Sequence, residues 1–358
     1  MTKKRLIVLM SLVLSMVLIL SACGSSNQAG QEPKTPNENV KTGEKVETDE
    51  KVVKFKFVSS KQDEMLTEAL KFMAKSMEEK SGGTLQPETY LEGQIGNNDE
   101  DLASGLIEKN YELLINGDWF ASWHSPEWVN LLNVGFVLRD ADHLYKFWNS
   151  DIGQMLNEKT LKEYDVKAYT KTIGLRGARY LTANKPIKHV DDMKGLKMRT
   201  PNNAGVVASW NATGSNVTPV PWGELYGALQ SGIVDAQENP AANIDSGGLY
   251  QVQKYLMQTG HQYIAFIAHM DNTWFESLSE KQQKAITDSI DEGFAIYNKK
   301  VVEDEGKLFE KFKEKGMTII PKEEIDIESF KQKITPVVLE ELKDKLPEGG
   351  YDKLQTIK

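Results

Sequence analysis

From Ser279 to about Lys315 the sequence holds nothing that must end a helix, and few small folds have room for one so long. Ser279 followed three residues later by Gln282 is a capping-box pattern, in which the two residues satisfy each other's free backbone N–H groups at a helix start. Gly316 supplies the stop. About 36 residues at 1.5 Å each would extend about 54 Å, more than one α/β lobe needs. Gly293 and Gly306 lie inside the stretch. Glycine weakens a helix, so two ordinary helices meeting at a kink are the alternative. A continuous helix would have to run across two lobes, and a chain of 358 residues is long enough to supply them.

The segments before it read as alternating strands and helices. VVKFKFVSS alternates apolar and polar from Val53 to Phe57, the period of a strand. KQDEMLTEALKFMAKSMEEK carries Met65, Ala69, Met73 and Met77 on one helical stripe and closes at Gly82-Gly83. TLQPETYL is a second strand, GQIGNND a loop, and a helix then leads to the strand YELLIN. That order predicts an α/β lobe around a largely parallel sheet. Further on, ADHLYKFWNSDIGQMLNEKTLKEY reads as one helix, VKAYTKTI as a strand and HVDDMKG as a short helix with Asp191 and Asp192 at its start. PWGELYGALQSG is a helix closed by Gly232, followed by the strand IVDAQ. A second α/β set therefore occupies roughly 177–264. Gln237, Glu238 and Asn239 precede Pro240, and Glu238 and Asn239 could be turn residues there.

At the N-terminus, Lys3, Lys4 and Arg5 precede an apolar run from Leu6 to Leu20 broken only by Ser11 and Ser15, then Ser21-Ala22. This is the layout of an export signal. As a helix the run would reach about 22 Å, short of the ~30 Å hydrocarbon core, which favours a cleaved signal over a permanent span. The sole cysteine, Cys23, stands at its end, and Leu20-Ser21-Ala22-Cys23 resembles the bacterial lipobox. That resemblance implies a signal peptide over 1–22 and a lipidated Cys23 on the outer face of the cell membrane. Residues 24–50 have no aromatic and few aliphatic side chains, so 23–50 reads as a lipidated cysteine with a disordered tether. The tether's length and polarity point to a Gram-positive envelope.

The formal charge is −9, and loss of Lys3, Lys4 and Arg5 takes it to about −12, which argues against nucleic acid as a partner. One cysteine allows neither a disulfide framework nor a cysteine metal site, and His124, His143, His189, His261 and His269 show no ligand spacing. Neither GxSxG, GxGxxG nor a P-loop occurs. No enzyme, metal or cofactor is expected, and a monomer is.

Polar residues interrupt strand-like apolar contexts in GARYLTANKPI, GLKMRTP and IVDAQENP. In GLKMRTP, alternation puts Leu196 and Met198 on one face and Lys197 and Arg199 on the other, so Arg199 could be a wet edge charge. GARYLTANKPIKHVDDMKGLKMRTP followed by PWGELYGALQSGIVDAQENP resembles the DctP-type substrate-binding proteins of TRAP transporters, over nearly the whole body from Val52. The resemblance implies a two-lobed α/β fold of the periplasmic-binding-protein kind with a long helix spanning both lobes. It implies lobes of 51–176 with 265–304, and 177–264 with 305–358. The implied function is capture of an organic-acid anion (a C4-dicarboxylate, keto acid or sugar acid) and delivery to a TRAP permease. A sensing receptor using the same cleft is the alternative.

Carried over, Arg199 pairs with the substrate carboxylate, Arg179 is a second cationic contact, Asn239 a polar contact and Trp222 an aromatic one. A guanidinium suits that task because its planar fork matches a carboxylate bidentately. Asn97, Asn98 and Asn116 stand where the sialate-binding branch tends to have acidic residues, which speaks against sialate and makes Asn98 and Asn116 candidate contacts. Arg176 and the tryptophans Trp119, Trp123 and Trp128 lie near these motifs without an assigned role.

Overall fold

The computed structural model of the protein describes residues 50–59, 64–96 and 98–358. The expected signal segment, Cys23, nearly all of the tether and Asn97 lie outside the described residues. Among the described residues ten strands carry the fold: β1 (Val53–Val58), β2 (Leu85–Tyr90), β3 (Leu113–Asn116), β4 (Val166–Ala183), β5 (Lys197–Thr200), β6 (Asn216–Pro219), β7 (Ala236–Pro240), β8 (Tyr255–Met257), β9 (Tyr263–Asp271) and β10 (Thr318–Ile320). They line up as β2-β1-β3-β9-β4-β7-β5-β6, with β8 against β4 and β10 against β8. The sheet is mixed. β1, β2 and β3 are parallel to one another, as are β7, β5 and β6, while β9 runs antiparallel between β3 and β4.

β4 is the axis of the arrangement. Its first part pairs with β9 as far as Ala178, and its last five residues, Arg179 to Ala183, pair with β7. Register shifts interrupt the β4–β9 ladder between Tyr169 and Gly174 and again between Leu175 and Ala178. Such bulges sharpen twist and bend a strand. Gly177 takes φ +79° there, a left-handed conformation that suits glycine.

The long helix is one element, Glu280–Glu314, capped as its sequence indicates: Ser279 Oγ accepts from Gln282 N, and Gln282 Oε1 accepts from Ser279 N. Its first half buries Ile286, Ile290, Phe294 and Tyr297 with Phe57, Met73, Leu113 and Phe266. Its last turns bring Phe312 into a separate cluster with Tyr180, Leu225 and Leu256. The helix thus packs on both ends of β4. Among the described residues no helix is long and apolar enough to cross a membrane.

Three expectations need correction. The stretch 141–164 is two helices, Ala141–Asn149 and Asp151–Tyr164, because Ser150 is extended and caps the second through Gly153 N. The strand expected over IVDAQ lies three residues later, so Glu238 and Asn239 are buried strand residues rather than turn residues. The helix expected over PWGELYGALQSG starts as a 3-10 turn, Trp222–Glu224, before Leu225–Gln230.

Neither glycine breaks the long helix, and the two sit in different surroundings. A Cβ on Gly293 would lie 2.3 Å from Met73 Cγ, whereas one on Gly306 would meet nothing within 4 Å. Gly306→Ala should therefore stabilise by about 0.5–1 kcal/mol through helix propensity. Gly293→Ala should destabilise by about 1–3 kcal/mol through overpacking despite the same propensity gain. Urea midpoints of the two variants check the opposite signs.

Candidate functional site

The carboxyl ends of the two parallel strand sets converge on the bulged part of β4. Asn116, the last residue of β3, pairs with Ile267 of β9, whose neighbour Phe266 pairs with Gly174. Pro240, the last residue of β7, pairs with Arg179. Carboxyl ends of parallel strands are where open α/β sheets bind ligands, since loops leave the sheet there with backbone groups unused by the ladder.

On the β7 side the sequence folds a polar group into a dry interior. Glu238 is 0% exposed and faces Arg179, whose Nε and Nη2 both donate to its carboxylate, the latter over 2.9 Å. Arg179 Nη2 also donates to Asn239 Oδ1 at 3.1 Å, and Asn239 Nδ2 donates to Gln237 Oε1 at 2.6 Å. His261 Nε2 lies 3.1 Å from Glu238 Oε2, and its Nδ1 lies 2.8 Å from the Thr259 hydroxyl. Burial alone would raise the Glu238 carboxyl, but the Arg179 charge and the His261 and Arg179 hydrogen bonds outweigh it and hold it at about 2. Burial pushes His261 below its ordinary range in spite of Glu238, leaving a neutral imidazole. An ionised Glu238 can only accept, so Nε2 carries the proton and Nδ1 accepts from Thr259.

Arg199 is placed differently. It is 3% exposed, so the wet-edge alternative is overturned: only Lys197 of β5 is exposed. Its Nε and Nη2 both donate to one carbonyl, Val220 O, at 2.9 and 2.6 Å. Among the described residues it has no carboxylate within ion-pair distance. Burial lowers its pKa, Glu238 raises it and Arg179 lowers it again, so the three groups sense one another. A guanidinium remains charged under these conditions.

On the β3 side Asn116 is 0% exposed and, among the described residues, neither its Oδ1 nor its Nδ2 has a hydrogen-bond partner. Orphaned amides of this kind are rare in protein interiors. Ile267 opposite it, Asp118 two residues on, Asn133 and Tyr263 line a pocket that opens to solvent, about 290 Å³ with that solvent included. Asn133 Oδ1 accepts from Gln262 Nε2 at 2.6 Å, and Gln262 O accepts from Arg179 N at 3.0 Å, which links this wall to the Glu238 group.

Arg199, Arg179 and Asn239 are thus brought together, with Asn116 across the β4 bulge. Asn98 is exposed, and its Oδ1 accepts from Glu100 N as a helix cap. Trp222 is 44% exposed, with its indole against Gly247. Arg176 lies over the Phe266 ring and lines a second pocket open to solvent with Met65, Asn243 and Glu305. Trp128 is buried against Phe147, and Trp123 packs against Phe120 and Tyr164. Sequence reasoning missed Glu238 as a buried partner, and with it His261, Asp118 and Asn133. The available signal was an acidic residue, Glu238, inside the run IVDAQENP, whose arginine partner on β4 lies 59 residues earlier.

Comparison with known proteins bears on the family and the fold. The family model described as bacterial extracellular solute-binding protein, family 7 (DctP), matches residues 57–344. A solute-binding protein of Verminephrobacter eiseniae is 31% identical over 78% of this chain and 82% of its own. The 2,3-diketo-L-gulonate-binding periplasmic protein YiaO of Escherichia coli is 29% identical over 83% and 89%. A TRAP periplasmic solute-binding protein of Ochrobactrum anthropi superimposes with a TM-score of 0.77 at 26% identity, over 86% of this chain and 94% of that one. The chain belongs to the DctP family of extracellular solute-binding proteins, the receptors of TRAP transporters. That family consists of extracytoplasmic receptors that deliver solutes to membrane permeases.

Glu238 titrates below its ordinary 4.5, so its stabilising contribution is complete above that pH and is lost as pH falls toward about 2. Arg179→Leu leaves the carboxylate buried without its counter-charge, which should cost about 3–5 kcal/mol at neutral pH. It should also abolish the Glu238 share of the acid limb. Chemical denaturation of both proteins at pH 7 and pH 3.5 checks the loss and the flattened difference.

Proposed function

We propose that this receptor binds an organic-acid anion in the cleft where the two strand sets meet, with Arg199 holding the carboxylate. The observation that carries the reading is a buried guanidinium whose one partner among the described residues is a carbonyl, beside a second arginine already engaged by Glu238. Asn239 fixes the rim through Arg179, Asn116 offers an amide from the other side, and Trp222 and Asn98 border the entrance. The lobes we assign are 51–176 with 265–304, and 177–264 with 305–358, joined through β4, β9 and the long helix. Several relatives bind acids by name, among them a sialic acid-binding protein and structures with bound D-erythronate and succinate. Closing the lobes on an unpaired Arg199 costs free energy that a carboxylate removes, which couples binding to closure.

Titration calorimetry against dicarboxylates, keto acids and sugar acids should find a carboxylate ligand, and silence across all classes overturns the reading. Arg199→Ala should lower that affinity at least about a hundredfold, two charge-assisted hydrogen bonds being worth roughly 1.5–3 kcal/mol each. Cooperative melting should persist.

At the N-terminus the proposal is lipidation of Cys23, which holds a monomeric body at the extracytoplasmic face of the cell membrane; the lipobox resemblance supports the anchor. The relatives come from Gram-negative bacteria and lend nothing to a Gram-positive origin. Cys23→Ser should move the protein from the membrane to the soluble fraction of the producing cells. Unchanged fractionation removes the anchor.

A further inference from the structure

By the lobe assignment above, residues 130–143 belong to the first lobe, yet their hydrogen bonds run to the second. Gln262 Nε2 donates to Asn133 Oδ1 at 2.6 Å. The backbone takes part as well: Gly135 N donates to Ser209 Oγ at 2.9 Å, and Phe136 N to His261 O at 2.7 Å. Val137 O accepts from Gln355 Nε2 at 2.7 Å, and His143 Nε2 donates to Leu354 O at 3.0 Å. Val134, Phe136 and Val137 share one buried core with Trp210, Phe330 and Leu354. A Cβ on Gly205, in the helix Ala204–Ala212, would lie 2.8 Å from Asn130 O, so the two backbones meet with no room for a side chain. Phe136 takes φ +68°, a left-handed conformation that is strained for a bulky residue and persists only where the surroundings over-determine it. Elsewhere between the lobes, Met65 of the first and Asn243 of the second line a pocket that opens to solvent.

We infer that residues 130–143 are a fixed fulcrum: the lobes stay docked there in open and closed forms alike, and the cleft opens only on the side of Met65 and Asn243. This rests on the two-lobe reading above and adds to it. Parting the lobes at the fulcrum would return three buried apolar side chains to water and strip buried backbone groups of their partners, and both cost free energy. A ligand shifts an equilibrium only by its differential affinity for the two forms, so the forms it selects between must lie close in free energy. A shared core of this kind therefore belongs to both forms and not to the difference between them. The pocket at Met65 and Asn243, already open to solvent, has no such core to lose.

The test is a pair of cross-links in the Cys23→Ser protein. Gly135→Cys with Ser209→Cys places the first, because a Cβ on Gly135 would lie 3.5 Å from Ser209 Cβ, inside the roughly 3.5–4.5 Å that a disulfide spans. Oxidation should close this bridge, and small-angle scattering of the ligand-free protein should be the same before and after. Met65→Cys with Asn243→Cys, joined by a short bismaleimide, should make the ligand-free protein more compact. Compaction by the first bridge overturns the inference and leaves the two-lobe reading intact. Failure of that bridge to form in a protein that melts cooperatively overturns it too. No compaction by either bridge overturns the two-lobe reading itself, and the inference with it. Hydrogen exchange needs no new cysteine and covers the case in which the first variant does not fold. The amides of Gly135 and Phe136 in the ligand-free protein should exchange at least about a thousandfold more slowly than in an unstructured peptide. Faster exchange at those two amides overturns the fulcrum.

Discussion

The molecule depends on the continuity of β4. One strand of 18 residues hydrogen-bonds first to β9 and then to β7, and the change of partner falls at Arg179. Because the backbone of Arg179 is fixed by Gln262 O while its side chain is fixed by Glu238, the residue closes the seam between two strand sets in two directions. The bulges just before it turn the strand, and the carboxyl ends of β3 and β7 therefore look toward the same stretch. A binding cleft at that point follows from strand polarity and register, before any particular side chain is considered.

Within this frame the two arginines have separate duties. Both stand in short motifs, both are buried, and a sequence cannot tell which one a carboxylate elsewhere in the chain already occupies. The ion pair with Glu238 is an unfavourable element in isolation, since two desolvated charges rarely gain more than they lose. Its value here is positional. It holds Asn239 and Gln237 in a connected network ending at Thr182 and Gln253, so the rim of the cleft is rigid where it meets β4.

Much of the fold could be read in advance because its signals are local. The Ser279–Gln282 box, the Met65–Met77 stripe and the alternation of VVKFKF each follow from residues within one or two turns. Ser150 was misread because a serine inside an apolar pattern looks like a tolerated helix residue, and only the cap geometry of the second helix reveals the break. The strand containing Glu238 was misplaced for a deeper reason. Polar residues before a proline signal a turn, and burial of that segment depends on Arg179, 59 residues away in the chain. Arg199 was legible as a candidate from the family resemblance, whereas its burial and its lack of a carboxylate partner among the described residues could not be read from alternation. The orphaned amide of Asn116 has no sequence signature at all.

The antiparallel partner of β3 has a kinetic consequence. Leu113 to Asn116 pair with residues 267–270, about 150 positions later, and β4 waits for the same segment. Until that stretch exists, β3 presents an open edge and the first part of β4 has no ladder on the β9 side. Loop closure over such separations is entropically slow, and sheets that need it fold late. The nascent chain therefore cannot complete its central ladder while most of it is being made. That ladder alone waits until more than two thirds of the chain is available, whereas β1, β2 and β3 can pair earlier.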